Sequence, residues 1–310
     1  MIHGVMFHHF HSSAHSVRPG SLSAEDFGEM LHYLGSRFSI VSPDEFRENL
    51  MRETPREKEV VLTFDDALLS QIDVALPLLE SRGIQAVFAV YSSVFSGQPD
   101  PLEIFAAFRQ EGFSSFEAFW NAFLELSSTI SPKSVEKLGL LYPPDHLADF
   151  PFYSTQERQF RFMRDSVLGP AIYAEVMWGL IDGHDDFNLQ AVINQLWMSV
   201  SDLKALVSAG HSIGLHSHSH PTRMDSLSPE EQRAEYQKNY DWIENTLGVR
   251  SLFVAHPCGS YSSDTIRILG ELGVEVGFRS SLSPGFSNSR LEIPREDHSN
   301  IFRMMKSGEA

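Results

Sequence analysis

Hydrophobic positions follow two rhythms along this chain. Phe27, Met30, Leu31 and Leu34 recur at intervals of three and four behind Ser23 and Asp26, which predicts a helix over 23–34 with Ser23 as its N-cap. Val60-Val61-Leu62-Thr63-Phe64 is instead a continuous β-branched and apolar run, the pattern of a strand buried on both faces. Shorter runs predict strands over 2–7, 39–42 and 84–91, with helices over 43–51 and 72–82, the latter stopped by Gly83. The alternation resumes with helices over 201–209, 229–246 and 263–272 and strands over 212–216, 251–255 and 274–278. Strand-helix alternation of this kind predicts βαβ units. Between the two stretches, residues 97–200 carry Phe105, Phe108, Phe113, Phe116, Phe119 and Phe123 at helical spacing. The simplest architecture is one α/β domain over 1–310, a barrel-like fold with a helical insertion over 97–200.

Composition narrows the function. The chain has 310 residues, 42% of them hydrophobic and 21% charged, enough apolar material for a sizeable core. Its net charge of −17 repels phosphate backbones and anionic headgroups, so nucleic acid and membrane surfaces are not the expected partners. A single cysteine, Cys258, allows no intrachain disulfide and demands no oxidising compartment. The N-terminal stretch lacks a basic region, its apolar run is broken by histidines, and no run reaches the length of a spanning helix. A soluble, cytoplasmic protein is the expectation.

Two segments carry chemistry. Asp65-Asp66 ends a buried strand, where adjacent carboxylates repel unless a cation or a division of labour relieves them. Strand ends of one polarity are also where barrel active sites sit. His216-Ser217-His218-Ser219-His220 follows the apolar strand 212–215 and offers His216 with His220, or His216 with His218, to one ion. One Asp and two His leave coordination positions open for water and substrate, as in a hydrolytic zinc site. His8, His9 and His11 at the tip of the first strand are read as hydrogen-bonded histidines rather than a second metal cluster. Asp182, His184, Asp185 and Asp186 are read as a solvated loop. Cys258 has no base located for it in sequence, which favours a backbone role for its turn.

With these residues in hand, the chain resembles the polysaccharide deacetylases of the NodB-homology type, carbohydrate esterase family 4. The family's Thr-Phe-Asp-Asp-Gly is Thr63-Phe64-Asp65-Asp66-Ala67 here, with Ala for Gly. Its His-(Ser/Thr)-x-x-His is His216 through His220, followed by Pro221. Its third motif is similar to Phe253-Val254-Ala255-His256-Pro257-Cys258-Gly259, and Leu291 through Arg295 is similar to a late Leu-Pro-Arg element. The resemblance covers about 1–96 and 201–300 and leaves the insertion outside.

The resemblance implies a distorted (β/α) barrel that hydrolyses N-acetyl groups of amino sugars. By position, Asp66, His216 and His220 would hold a divalent metal, zinc first, with cobalt, nickel, manganese or iron as alternatives. Asp65 would be the general base that activates water, and the backbone N–H of Cys258 would help to stabilise the oxyanion. Two departures matter. Ala255 stands where one branch of the family has an Arg that holds the catalytic Asp, and Arg295 is the candidate to supply that charge. The family's late His, its general acid, is not evident, and His298 is the candidate substitute. The expected substrate is an N-acetylated amino sugar of a surface glycan or its precursor, for example in O-antigen assembly. A deformylase or other amide hydrolase on the same scaffold, and a catalytically silent carbohydrate-binding relative, are the alternatives. Oligomeric state is left open.

Overall fold

The computed structural model describes residues 3–52, 58–147, 154–283, 285 and 289–307. By its contacts the chain forms two compact units, one of Met1–Pro99 with Leu196–Ala310 and one of Asp100–Gln195.

The first unit opens with β1 (Gly4–Phe7), α1 (Ala24–Arg37), β2 (Ser39–Ile40), α2 (Pro43–Met51) and β3 (Glu59–Phe64). A wide helical turn, Gln71–Ala75, leads into α3 (Leu76–Glu80), and β4 (Val87–Val90) follows. Ser23 caps α1 as the sequence predicts: its side chain accepts from the Asp26 N–H while the Asp26 carboxylate accepts from the Ser23 N–H.

Among the described residues the second unit's regular elements are helices: α4 (Pro101–Glu111), α5 (Phe116–Ile130), α6 (Pro132–Leu141), α7 (Thr155–Phe162), α8 (Gly169–Asp182) and most of α9 (Leu189–Leu196). Phe105, Phe108, Phe119, Phe123 and Phe160 form its aromatic core, with edge-to-face contacts such as Phe119–Phe160 at 5.2 Å between centroids. His184 sits edge-on to Phe108 and Phe113, while Asp182, Asp185 and Asp186 are exposed as the loop reading expects.

The first unit resumes with α10 (Val200–Ser208), β5 (Ser212–Leu215), α11 (Pro229–Leu247), β6 (Phe253–Ala255), α12 (Ser263–Glu271) and β7 (Val276–Phe278). Two further elements complete it, β8 (Arg295–Asp297) and α13 (His298–Ser307), which the hydrophobic pattern does not predict.

All the paired strands run parallel, in the order β7-β6-β5-β4-β3-β1-β8, with β2 beside β3. Ile293 exchanges backbone hydrogen bonds with Gly277 and Arg279 at the far edge, then the chain passes into β8 beside β1. The sheet is thus nearly closed into a barrel, as the resemblance implies.

Period-two alternation sorts β3 onto two faces. Val60, Leu62 and Phe64 pack outward with Phe27, Met30, Leu31 and Leu79 of the helices. Val61 points the other way and packs with Val87, Phe253, Val276 and Phe278 from other strands. Thr63 and Asp65 continue that inner row, and this delivers an acid to the end of the barrel where the parallel strands finish. Among the described residues no helix is long and apolar enough to cross a membrane.

Candidate active site

Asp65 sits at the end of β3 and is almost fully buried. Its N–H donates to Phe7 O at 3.0 Å, which extends the β1–β3 ladder by one residue. Arg295, from β8, reaches across the barrel interior and holds the Asp65 carboxylate with two hydrogen bonds, Nη1 to Oδ1 at 2.8 Å and Nη2 to Oδ2 at 2.7 Å. Nη1 also donates to Thr63 Oγ1 at 2.8 Å and Nε to Arg279 O at 2.9 Å. Arg295 is 1% exposed, so this guanidinium is built into the fold. Its path explains Gly4: a Cβ there would lie 2.9 Å from Arg295 Cγ. Burial opposes ionisation of Asp65, yet the Arg295 guanidinium beside it holds its carboxyl below the ordinary value.

Asp66 turns the other way, with a φ of 77°. Its Oδ1 lies 3.2 Å from His216 Nε2 and 3.4 Å from His220 Nε2. His216 Nδ1 is 2.7 Å from Ala255 O, and a carbonyl can only accept, so Nδ1 carries the proton and Nε2 of the neutral ring is bare. Asp66 Oδ1 is buried and receives no hydrogen bond. Lone pairs of a carboxylate and of imidazole therefore face one another, with Asp66, His216 and His220 offering ligand atoms all within 4.8 Å of one another. One carboxylate oxygen and two imidazole nitrogens at this separation fit a divalent cation of the zinc type, which would satisfy the buried oxygen.

The loop that carries the histidines is fastened from outside. Glu235 of α11 accepts from the N–H groups of His218 (3.0 Å) and Ser219 (2.7 Å) and from Ser219 Oγ (2.8 Å). Asn239 accepts from the His216 N–H at 3.0 Å and donates to Val90 O at 3.1 Å. His218 Nδ1 pairs with Ser92 Oγ at 2.9 Å, and His218 is not in the three-residue group. Of the two pairs the sequence offers, His216 with His220 is the one whose ring atoms converge with Asp66.

Cys258 lies in the turn Pro257–Gly259, three residues beyond the carbonyl that orients His216, with a φ of 51° and an exposed side chain. His298 opens α13, 5% exposed, with Nε2 2.7 Å from Gly20 O, Nδ1 3.2 Å from Met6 O, and its ring stacked on Phe7. Both ring nitrogens thus face backbone carbonyls. His8, read from sequence only as a hydrogen-bonded histidine of the strand tip, has its Nε2 3.9 Å from Asp65 Oδ2. Buried Gln71 ties the two segments together, its Nε2 donating to His8 O at 3.0 Å and Asp65 O at 2.7 Å. The signal was a histidine at the end of the first core strand, level with Asp65 on its neighbour. His8 does not gather with His9 and His11; it groups with Asp297 and His298 from the other end of the chain, while His11 Nδ1 pairs with Ser21 Oγ at 2.8 Å.

The comparisons with known proteins bear on the fold and the family likeness. The sequence profile of the polysaccharide deacetylase family matches residues 187–277, a stretch that includes the histidine loop and the third motif. Solved structures share the fold over nearly the whole chain. A Streptococcus pyogenes deacetylase, PplD, in complex with acetate aligns at a TM-score of 0.55 and 16% identity, covering 96% of this chain and 91% of that one. IcaB from Ammonifex degensii aligns at a TM-score of 0.55 and 16% identity, covering 99% of this chain and 95% of that one. The BpsB deacetylase domain from Bordetella bronchiseptica aligns at 0.53 and 14% identity, covering 96% and 95%. At such identities the likeness establishes the fold. No curated protein matches the sequence. The profile match and the shared fold together bear out the resemblance to NodB-type polysaccharide deacetylases read from the motifs.

Proposed function

We propose that the protein is a divalent-metal-dependent hydrolase that removes the acetyl group from the nitrogen of an amino sugar, in a surface glycan or its precursor. The observation that carries this reading is the convergence of Asp66, His216 and His220 on one point, beside a second carboxylate, Asp65, that is held by a guanidinium. Asp66 and the two histidines are the residues that would hold a divalent ion, which would polarise the amide carbonyl and lower the pKa of bound water toward neutral. Asp65, kept ionised by Arg295, takes the proton from the attacking water. The Cys258 N–H is assigned to the oxygen of the carbonyl under attack. His8 is assigned the transfer of a proton to the departing amine, the role first given to His298, because its ring faces Asp65 and its side chain is 30% exposed. Burial holds His8 below its ordinary pKa against the pull of Asp66 and Asp65, so once charged it gives up its proton readily.

Zinc is the metal of this reading, and a cytoplasmic intermediate of glycan assembly, such as an O-antigen precursor, is the substrate. The test is acetate release from a panel of N-acetylated nucleotide sugars, lipid-linked saccharides and oligosaccharides, after chelation and again after zinc is restored. Zinc-dependent acetate release supports the reading. Formate in place of acetate would make it a deformylase. Tight sugar binding with no acyl release would make it a silent relative.

A further inference from the structure

A second group of ligand atoms stands beside the first. His8, Asp297 and His298 each offer an atom within 4.8 Å of the others, although they come from β1 and from the β8–α13 junction. The state of His298 is what makes the group informative. Its Nε2 is 2.7 Å from Gly20 O, which can only accept, so that nitrogen carries a proton. In a neutral ring Nδ1 is then bare, yet it faces another acceptor, Met6 O, at 3.2 Å, and Asp297 Oδ1 at 3.8 Å. His298 Nδ1, Met6 O and Asp297 Oδ1 thus face one another with no proton between them, while Asp297 Oδ1 also accepts from Ser299 Oγ on its other side. Asp297 is held in place there by the N–H of Ser299, which donates to its Oδ1 at 2.8 Å.

We propose that His8, Asp297 and His298 form a second, weaker cation site that takes zinc, and that filling it inhibits the enzyme. Two imidazoles and one carboxylate are a zinc-type donor set. His8 faces Asp65 on one side and belongs to this group on the other. An ion that takes a His8 nitrogen withdraws that ring from proton transfer. Only this inhibitory consequence rests on the function proposed above; the site itself rests on the geometry.

The test measures zinc bound per chain by equilibrium dialysis, together with activity, in the wild type and in Asp297→Asn and Asp66→Asn. Wild type should take up a second ion at higher free zinc and lose turnover as it does. Asp297→Asn should keep the first ion and its basal activity, lose the second, and need at least about tenfold more zinc for inhibition. Asp66→Asn should lose the tight ion and keep the weak one. Identical zinc uptake by wild type and Asp297→Asn would overturn the site, and would make His298 an imidazolium shared by Met6 O and Gly20 O. If Asp297→Asn loses an ion while Asp66→Asn loses none, the second site stands and the proposed catalytic centre falls.

Discussion

Arg295→Met removes the cation from a carboxylate that has almost no water around it. The side chain makes four hydrogen bonds, two to Asp65 and one each to Thr63 Oγ1 and Arg279 O, and all are buried. Removing one partner of a buried ion pair leaves the other uncompensated, at a cost of about 3–5 kcal/mol. A domain of ordinary stability has about 5–15 kcal/mol in total, so the loss is a large part of it. Replacing both partners, Arg295→Met with Asp65→Asn, removes the stranded charge as well. The double variant should therefore be more stable than Arg295→Met alone, with a coupling energy of about 2–3 kcal/mol.

The same substitution has a chemical consequence. Burial pushes the Asp65 carboxyl up while Arg295 pulls it down. In the native protein the carboxyl titrates below its unfolded value of about 3.9, so the pair stabilises the fold fully above that pH and the contribution drains away as acid titrates the native group. Without Arg295 the balance moves toward burial, and the acid limb of the activity profile should shift to higher pH. Urea unfolding of the wild type, both single variants and the double variant gives the cycle, and a pH profile on Arg295→Met gives the shift. Independent, additive losses with an unmoved acid limb would refute the view that Arg295 exists to keep Asp65 ionised.

Further outcomes follow from the same geometry. Asp65→Asn should keep zinc and the fold and lose about 10²–10⁴-fold in turnover, whereas Asp66→Asn should lose zinc as well, as metal content and acetate release on the two variants will show. His8→Gln should lower kcat with little change in KM, and an unchanged kcat would remove His8 from the proton path. Gly4→Ala puts a methyl group 2.9 Å from Arg295 Cγ and should cost about 1–3 kcal/mol in thermal or urea unfolding, with a fall in activity as the guanidinium shifts. Glu235→Ala touches no ligand, yet it frees the loop of His218 and Ser219 and should weaken zinc affinity about 10–100-fold in a competitive chelator titration.

Much of this was legible in sequence because buried parallel strands announce themselves. The β3 run Val60–Phe64 carries no charge until Asp65, and that abrupt change marks both the strand end and the site. The histidine spacing was legible only up to a choice, since His216 pairs with either His218 or His220 until Ser92 and Glu235 fix the loop. Strand β8 was not legible: Arg295-Glu296-Asp297 is three charged residues, and it is a strand only because β1 lies beside it with open backbone groups. Arg295 was reachable as a charge in search of a partner, but its bidentate grip on Asp65 spans 230 positions. His8 was legible only as a strand-tip histidine for the same reason. Its importance comes from the β1–β3 register, which sets Phe7 beside Phe64 and so brings the residues after them together.

Backbone strain shows how the two kinds of information meet. Six non-glycine residues among those described have positive φ, and five of them are Asp66, Ala67, Ser217, His220 and Cys258. The left-handed region costs an L-residue about 1–2 kcal/mol, and local sequence gives no return for it. The return is tertiary. Ala67 O accepts from the Met198 N–H, Ser217 Oγ accepts from the His220 N–H, and Glu235 and Asn239 hold the histidine loop to α11. Ala67 occupies a position where the family motif has glycine, so this chain keeps the φ of 54° without the residue that adopts it freely. A conformation that disfavoured is kept where the surroundings over-determine it. Here those surroundings aim Asp66, His216 and His220 at a single point, which is why the strained residues and the candidate ligands fall in the same loops.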